Sequence, residues 1–275
     1  MTHKRMRIIS ILDFAWVFIM PVYQKHAIIK PMYTTGKEIG ETPLDCLKRV
    51  REREGISMEI PMTYAGRLDP MAEGLMIILA GEECKEKDRY LGLSKVYEFE
   101  VLVGFETDTY DLLGLVKSTG NEIVSSDRFT EVLNTFLGEY DQSYPAYSSK
   151  PVDGKPLFQH AREGNKIEVP THAVKIESLT TINMRNITIG ELEKDITEKI
   201  TKVRGDFRQT EILKEWGSVL KKNSQQEFQI FSCVLSCESG TYVRQLVSDI
   251  GAKLGVPCVT YSIKRTKVGN YTSDW

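Results

Sequence analysis

The run LMIILA, residues 75–80, lies between Gly74 and Gly81 and contains no polar side chain. Six apolar residues without alternation and bounded by glycines fit a strand covered on both faces, so the fold must hold a sheet with material packed on each side. Directly upstream is GRLDP, residues 66–70. A glycine followed by an Asp-Pro step is ordinary turn chemistry, so Asp69 fits two readings: punctuation before the strand, or a carboxylate offered at its rigid start.

Other stretches supply partners for that strand. KVYEFEVLVG (95–104) alternates and places Tyr97, Phe99, Val101 and Val103 on one face, and FQIFSCVLSC (228–237) does the same with Phe231, Cys233, Leu235 and Cys237. Helical spacing appears in ETPLDCLKRVRERE (41–54), with Thr42 as N-cap, Pro43 in the first turn, Leu44, Leu47 and Val50 on one face, and Gly55 just beyond. It recurs over 126–138 through Phe129, Val132, Leu133 and Phe136 up to Gly138, and over 241–255 through Val243, Leu246, Val247, Ile250 and Leu254 up to Gly255. Residues 190–226 are charged and helix-like, and read as an insertion between two strands. The mixture carries no dinucleotide fingerprint and no P-loop; it predicts an α+β fold.

The 275 residues are 41% hydrophobic, enough for a substantial core, and 36 basic against 38 acidic residues give a net charge of -2. No global basic field points to a nucleic acid, so any such partner is met by a local patch. Five scattered cysteines (Cys46, Cys84, Cys233, Cys237 and Cys258) form no CxxC pair, and the four histidines do not cluster with them. Reduced thiols in a cytoplasmic protein and no bound metal are the expectation. At the N-terminus Lys4, Arg5 and Arg7 precede an apolar stretch, Ile8 to Met20, that contains Asp13 and is too short to span a bilayer. We read residues 1–27 as an extension rather than a signal or membrane anchor.

Between 140 and 166 the character changes: YDQSYPAYSSKPVDGKPLFQHAREGNK mixes Pro, Ser, Gly and aromatic residues with Lys150, Lys155, Arg162 and Lys166. This is either a plain polar loop leading into a short helix or a loop that lies against a polyanion and offers rings to bases. Arg67 and Arg244 are candidate partners for the Asp69 carboxylate. Tyr97, on the apolar face of a strand, is either core or a functional ring. His160 has no serine or second histidine placed beside it for a hydrolytic triad.

Taken together, the ordered blocks IIKP with GETP, GRLDPMAEGLMIILAGEECK, KVYEFEVLVGFETDTYDLLG, YPAYSSKPVDGKPLFQHAREG and CESGTYVRQLVSDIGAKLG with IKRTKVG resemble the TruB family of pseudouridine synthases over about residues 28–269. The resemblance implies a pseudouridine synthase fold: a mixed, mostly antiparallel sheet flanked by helices, with a thumb-like insertion at about 125–166, in a catalytic domain spanning 28–275. It implies isomerisation of uridine to pseudouridine, at uridine 55 in the T-loop of tRNA, by a cytoplasmic monomer without cofactor, metal or membrane. Asp69 takes the place of the essential aspartate, Tyr97 that of the ring stacking on the target base, and Arg244 that of the arginine paired with the aspartate. Lys30 falls on the family's Lys-Pro near the active-site floor. Lys150, Lys155, Arg162, Lys264 and Arg265 are the expected RNA-binding residues, joined by Tyr64 and Arg67 beside the aspartate.

Departures accompany the likeness. Where members of the family carry Gly-His-x-Gly before the aspartate, this sequence has TYAG, so Tyr64 stands at the histidine that helps to open the RNA loop. Arg67 replaces a small or hydroxyl residue, MYTTGKEIG reads as an enlarged loop after Lys30-Pro31, and no room is left for the family's C-terminal RNA-binding domain. These departures give weight to a rival reading, a non-catalytic RNA-binding or RNA-folding module of the same fold, and a nearer rival is a pseudouridine synthase acting on another RNA.

Overall fold

The computed structural model describes residues 30–223 and 227–272; the proposed 1–27 extension lies outside the described residues. Residues from Pro31 onward form one unit. Its first part runs β1 (Met32–Lys37), α1 (Pro43–Glu54), β2 (Met62–Ala65), β3 (Ala72–Ala80), a 3-10 turn (Gly81–Glu86), α2 (Lys87–Leu91) and β4 (Lys95–Val103). A small ladder of β5 (Phe105–Thr107) and β6 (Val116–Thr119) follows, then α3 (Ser126–Asn134) and β7 (Gly138–Ser143). Next come the hairpin of β8 (Pro151–Val152) and β9 (Lys155–Pro156), α4 (Leu157–Glu163) and the long β10 (Thr171–Thr188). The remainder is α5 (Ile189–Thr201), α6 (Gln209–Lys222), β11 (Glu227–Cys237), α7 (Val243–Leu254), β12 (Cys258–Val268) and β13 (Tyr271–Thr272).

Nine strands form one sheet in the order β1-β3-β12-β4-β11-β10-β7, with β2 also on β3 and β13 on β12. The β3–β12 pair is parallel and the other pairs are antiparallel. Every second residue of β4 and β11 faces the same side, where Phe99, Val101, Phe231 and Cys233 meet Leu47 and Val50 of α1, Phe129 of α3 and Leu246 of α7. The Phe129 and Phe231 rings stack at 3.9 Å. On the opposite side Leu102, Ile230 and Tyr261 meet Leu192, Ile196 and Ile200 of α5 and Trp216 of α6. The charged helices α5 and α6 therefore cover the second face of the sheet: their apolar stripes pack inward and their charges remain in water. The β3 run is divided between two clusters, Met76 and Ile78 in one, Leu75, Ile77 and Leu79 in another, as a strand covered on both faces requires.

Three local expectations differ from the structure. MYTTGKEIG is not a loop, because Met32–Lys37 is strand β1, paired along its length with β3, and only the residues after Lys37 turn. Its alternation runs through Tyr33, Thr35 and Lys37, whose polar character hid a strand pattern. Leu44 leaves the buried face of α1, where Cys46, Leu47 and Val50 point inward, and is half exposed. Helix α3 stops at Asn134, because Gly138, in the left-handed region, already opens β7. The N-cap of α1 is as expected, with Thr42 and Asp45 forming a reciprocal capping box, and α7 ends at left-handed Gly255.

Candidate active site

The GRLDP turn is fixed through its carbonyl groups. Arg265 of β12 is buried and donates to Gly66 O at 3.4 Å, Arg67 O at 3.2 Å and Leu75 O at 2.8 Å. Lys37, 2% exposed, donates to Ala72 O at 2.5 Å and Pro70 O at 3.5 Å, while the Gly40 amide donates to Pro70 O at 2.8 Å. Gly74 lets β12 approach closely, since a Cβ there would lie 2.3 Å from Arg265 O. With its neighbours pinned in this way, the Asp69 side chain has little freedom in where it points.

Arg244, in the first turn of α7, meets the carboxylate end-on. Its Nε donates to Asp69 Oδ2 at 2.7 Å and its Nη2 to Oδ1 at 3.1 Å, a two-bond fork that fixes the plane of the carboxylate. The other guanidinium positions are also filled, Nη1 by Thr109 O at 2.8 Å and Nη2 also by Tyr147 O at 3.2 Å. The Arg244 side chain is 5% exposed and that of Asp69 40%, so one partner is sealed in and the other opens onto a cavity. The start of α7 is tied down by Gln142 of β7, whose amide accepts from Tyr242 N and donates to Tyr242 O.

A second carboxylate shares this arginine: Asp111 Oδ2 lies 3.8 Å from Arg244 Nε. Asp111 is 5% exposed and its Oδ1 accepts from Thr109 Oγ1 at 2.7 Å and Leu113 N at 3.0 Å. Burial pushes its carboxyl up to about 6, and the nearby Asp69 charge adds to that while Arg244 opposes it. Burial likewise draws Lys37 down to about 8, against the pull of Asp69 and Glu41.

Tyr97 of β4 lies in register with Arg265 of β12 and is 8% exposed. Burial raises its phenol, opposed by Arg265, so at neutral pH the ring carries a neutral hydroxyl. A cavity of about 420 Å³ brings Tyr97 together with Asp69, Arg244, Ile263, Tyr64 and Arg67. A second of about 640 Å³ shares Asp69, Arg244, Tyr64 and Arg67 and continues toward the thumb and the turn between α5 and α6.

Of the sequence-predicted residues, Asp69, Tyr97, Arg244, Tyr64 and Arg67 therefore converge. Arg67 reaches across to the thumb and donates to Ser149 Oγ at 2.7 Å. Arg162 lines the second cavity. Lys150 sits over the Tyr144 ring and Lys155 pairs with Glu163 at 3.1 Å, both away from Asp69 on the thumb. Lys264 alternates away from Arg265 along β12 and lines a separate cleft with Arg49, Arg53 and Glu73. Arg265, expected at an RNA-gripping surface, is 1% exposed and holds the turn from within. Lys30 is exposed; the lysine buried beneath the turn is Lys37.

Lys37, Asp111 and Gln142 had no role in the sequence reading. The inward phase of β1 was the available signal for Lys37. Asp111 lay within a stretch already singled out, but nothing local in DTYDLLG distinguishes an arginine partner from a turn aspartate. Among the described residues no group of three His, Cys, Asp or Glu side chains could hold a metal ion, and no helix is long and apolar enough to cross a membrane.

Comparison with known proteins gives a consistent result. Residues 61–202 match the model of the TruB family pseudouridylate synthase N-terminal domain. The chain is 32% identical over 245 residues to tRNA pseudouridine synthase B of Ligilactobacillus salivarius, covering 88% of this chain and 68% of that protein. It is 30% identical over 232 residues to the same enzyme of Aquifex aeolicus, covering 84% and 66%. The chain thus spans about two thirds of the length of these curated relatives. In fold it is similar to a chain of a Cbf5-Nop10-Gar1 complex (TM-score 0.54, 15% identity, 88% of this chain and 50% of that one). It is also similar to a chain of an H/ACA RNP bound to a substrate RNA containing 2'-deoxyuridine (TM-score 0.53, 15% identity, 88% and 49%).

Proposed function

The chain belongs to the TruB family of pseudouridylate synthases, and from that premise we propose that it isomerises uridine to pseudouridine in tRNA, at uridine 55 of the T-loop, as a cytoplasmic monomer. The observation that carries the reading is the Asp69–Arg244 fork: a carboxylate aimed by two hydrogen bonds from a buried arginine, yet open on its other side to a cavity also lined by Tyr97. A module that only binds RNA has no use for a partly buried carboxylate held in this way, since its desolvation costs free energy without adding grip.

The chemistry suits that geometry. Uracil leaves C1' through N1, turns in the pocket and rejoins through C5; the C5 hydrogen departs as a proton and a proton returns to N1. Composition is unchanged, so the reaction consumes no electrons and asks only for a carboxylate at the ribose and a surface on which the base can turn. Asp69, half open to the cavity, supplies the first. The Tyr97 ring supplies the second and replaces part of the stacking that an extruded base loses, on the order of 1–3 kcal/mol. Its neutral hydroxyl is a hydrogen-bonding group for the turning base. Tyr64, which lines both cavities, supports a role for its ring in filling the gap that a flipped base leaves in its loop.

The test is incubation of the protein with unmodified tRNA transcript followed by chemical mapping of pseudouridine, with Asp69→Asn in parallel. Wild type is expected to convert uridine 55, and Asp69→Asn to lose about 10⁴-fold or more in rate while binding tRNA within about threefold of wild type. Conversion by the variant at a near-normal rate would remove Asp69 from the reaction.

A further inference from the structure

The turn between α5 and α6 belongs to a segment that covers the second face of the sheet, yet it reaches the loops around Asp69. Arg208 ends this turn, beyond the residues 61–202 that match the family model, and its Nη1 donates to Asp108 Oδ2 in the β5–β6 loop at 2.8 Å. The same carboxylate oxygen accepts from the Tyr147 hydroxyl at 3.0 Å, and the Arg208 guanidinium lies 4.9 Å from the Tyr147 ring centre. One cation thus touches the carboxylate of one loop and the ring of the thumb. The Arg208 and Asp108 side chains are 24% and 17% exposed, largely withdrawn from water.

Those two loops are the ones that hold Arg244 from behind. Thr109 O, next to Asp108, accepts from Arg244 Nη1 at 2.8 Å, and Tyr147 O accepts from its Nη2 at 3.2 Å. Asp108 is locked within its own loop, because its Oδ1 accepts from Leu115 N at 2.8 Å and its N donates to Leu115 O at 3.0 Å. A shift of Asp108 relative to Tyr147 therefore parts the two carbonyl groups and tilts the guanidinium that aims Asp69. The backbone that delivers Arg208 is left-handed, φ 64°, which costs free energy for a residue other than glycine and persists only where the surroundings impose it. Tyr110, beside Thr109, is left-handed as well, also at φ 64°. The turn is anchored in turn: Arg204 N donates to Gly40 O at 3.1 Å and Gly40 N to Pro70 O at 2.8 Å, next to Asp69. Only glycine fits there, because a Cβ on Gly40 would lie 2.1 Å from Lys202 O.

We propose that Arg208 is a positioning residue for the isomerisation: it clamps the β5–β6 loop against the start of the thumb, which sets the two carbonyl groups behind Arg244 and, through them, the plane of the Asp69 carboxylate. The inference rests on the uridine-isomerase reading. It separates from a merely adhesive role, because the segment is held to the sheet by Leu192, Ile196, Ile200 and Trp216, none of which depends on this ion pair. Arg208 also lines the larger cavity, so the rival role is direct contact with RNA, which appears as lost affinity rather than lost rate. The α5–α6 segment then both covers the sheet and steadies the reacting carboxylate.

The experiment compares wild type, Arg208→Ala and Arg208→Lys as full chains on a tRNA T-arm stem-loop. It reads the single-turnover rate constant at saturating enzyme, the stem-loop affinity in an Asp69→Asn background, the melting temperature, and the NMR signal of the Arg244 Nε–H proton. That proton is buried against Asp69 and is identified by its shift in Asp69→Asn. Arg208→Ala is expected to shift the Arg244 signal and to lower the rate constant about 10- to 100-fold, the order that a misplacement of about 1 Å costs. Affinity should change by less than about twofold and the melting temperature by less than about 3 °C, since a partly exposed pair contributes little to stability. Arg208→Lys, which keeps a cation on Asp108, should recover the rate constant to within about threefold of wild type. Adding Tyr147→Phe to Arg208→Ala should cost less than the product of the two single effects, because both act through Asp108. An unmoved Arg244 signal, a wild-type rate constant at whatever melting temperature, a loss confined to affinity, no recovery with lysine, or fully multiplicative losses with Tyr147→Phe overturns the proposal. If wild type converts no uridine in the stem-loop while the Arg244 signal still responds to Arg208→Ala, the clamp on Arg244 stands and the isomerase reading falls.

Discussion

The floor of the site and its rim are built by opposite rules. On the floor, Arg244 fills every side of its guanidinium, Arg265 donates to three carbonyl oxygens, and both are nearly sealed from water. On the rim Arg67 has one hydroxyl partner, and farther out Lys155 has one carboxylate partner at a surface and Lys150 one ring. Reacting groups must hold position to a fraction of an ångström, so they sit on strand and helix ends with redundant bonds; groups that meet a polyanion need only charge and reach. The same residue type therefore serves two ends, and burial tells the two apart.

The contrast breaks most visibly at Arg244. Arg244→Met leaves Asp111 buried without its cation, and we expect a loss of about 3–5 kcal/mol in denaturant unfolding together with loss of turnover. A variant as stable as wild type would mean that the floor is not held by charge. Arg265→Met comes next: the GRLDP turn loses two donors and Leu75 of β3 a third, and kcat is expected to fall about 10²-fold, as a displacement of roughly 1 Å produces, with KM for tRNA little changed. An effect confined to KM would return Arg265 to the rim.

Asp111 sharpens the comparison through pH. Its folded carboxyl titrates near 6, above the ordinary 3.8, so its contribution to stability is complete below about pH 4 and is lost as pH rises through about 6. Between those limits wild type should lose about 3 kcal/mol relative to Asp111→Asn, and parallel stability curves for the two proteins would place Asp111 in an ordinary environment. The smallest effect belongs to the rim. Lys155→Ala should change stability by less than about 0.5 kcal/mol, since exposed pairs contribute little, while lowering tRNA affinity severalfold and flattening its salt dependence.

What the sequence disclosed follows the same division. Strands β3, β4 and β11 and helices α1 and α7 were legible because period-two and period-3.6 patterns register burial directly. From the residues alone Arg67 and Arg244 were equal candidates for Asp69 and Tyr97 could be core; the family resemblance singled out the trio, because Asp69 and Arg244 stand 175 residues apart and no local pattern brings them together. The roles of Lys37 and Arg265 were not legible at all. A cation whose partners are backbone carbonyls looks in a sequence like any surface lysine or arginine. The charged α5–α6 segment was legible as helical chain between two strands, but its abundant charges hid the stripe of Leu192, Ile196 and Ile200 that seals the second face.

The position of β12 has a further consequence. This strand is inserted between β3 and β4, although every other strand of the large sheet except β13 precedes it in the chain. During synthesis the Ala72–Gly74 edge of β3 stays open until residues 258–268 emerge, and β4 waits with both edges open until β11 and then β12 arrive; open edges are where growing chains pair wrongly. The same strand carries Arg265, so the act that closes the sheet also sets the Asp69 turn. A partly made chain exposes a templating edge and a loose carboxylate, and both are resolved in one step when the strand slots in.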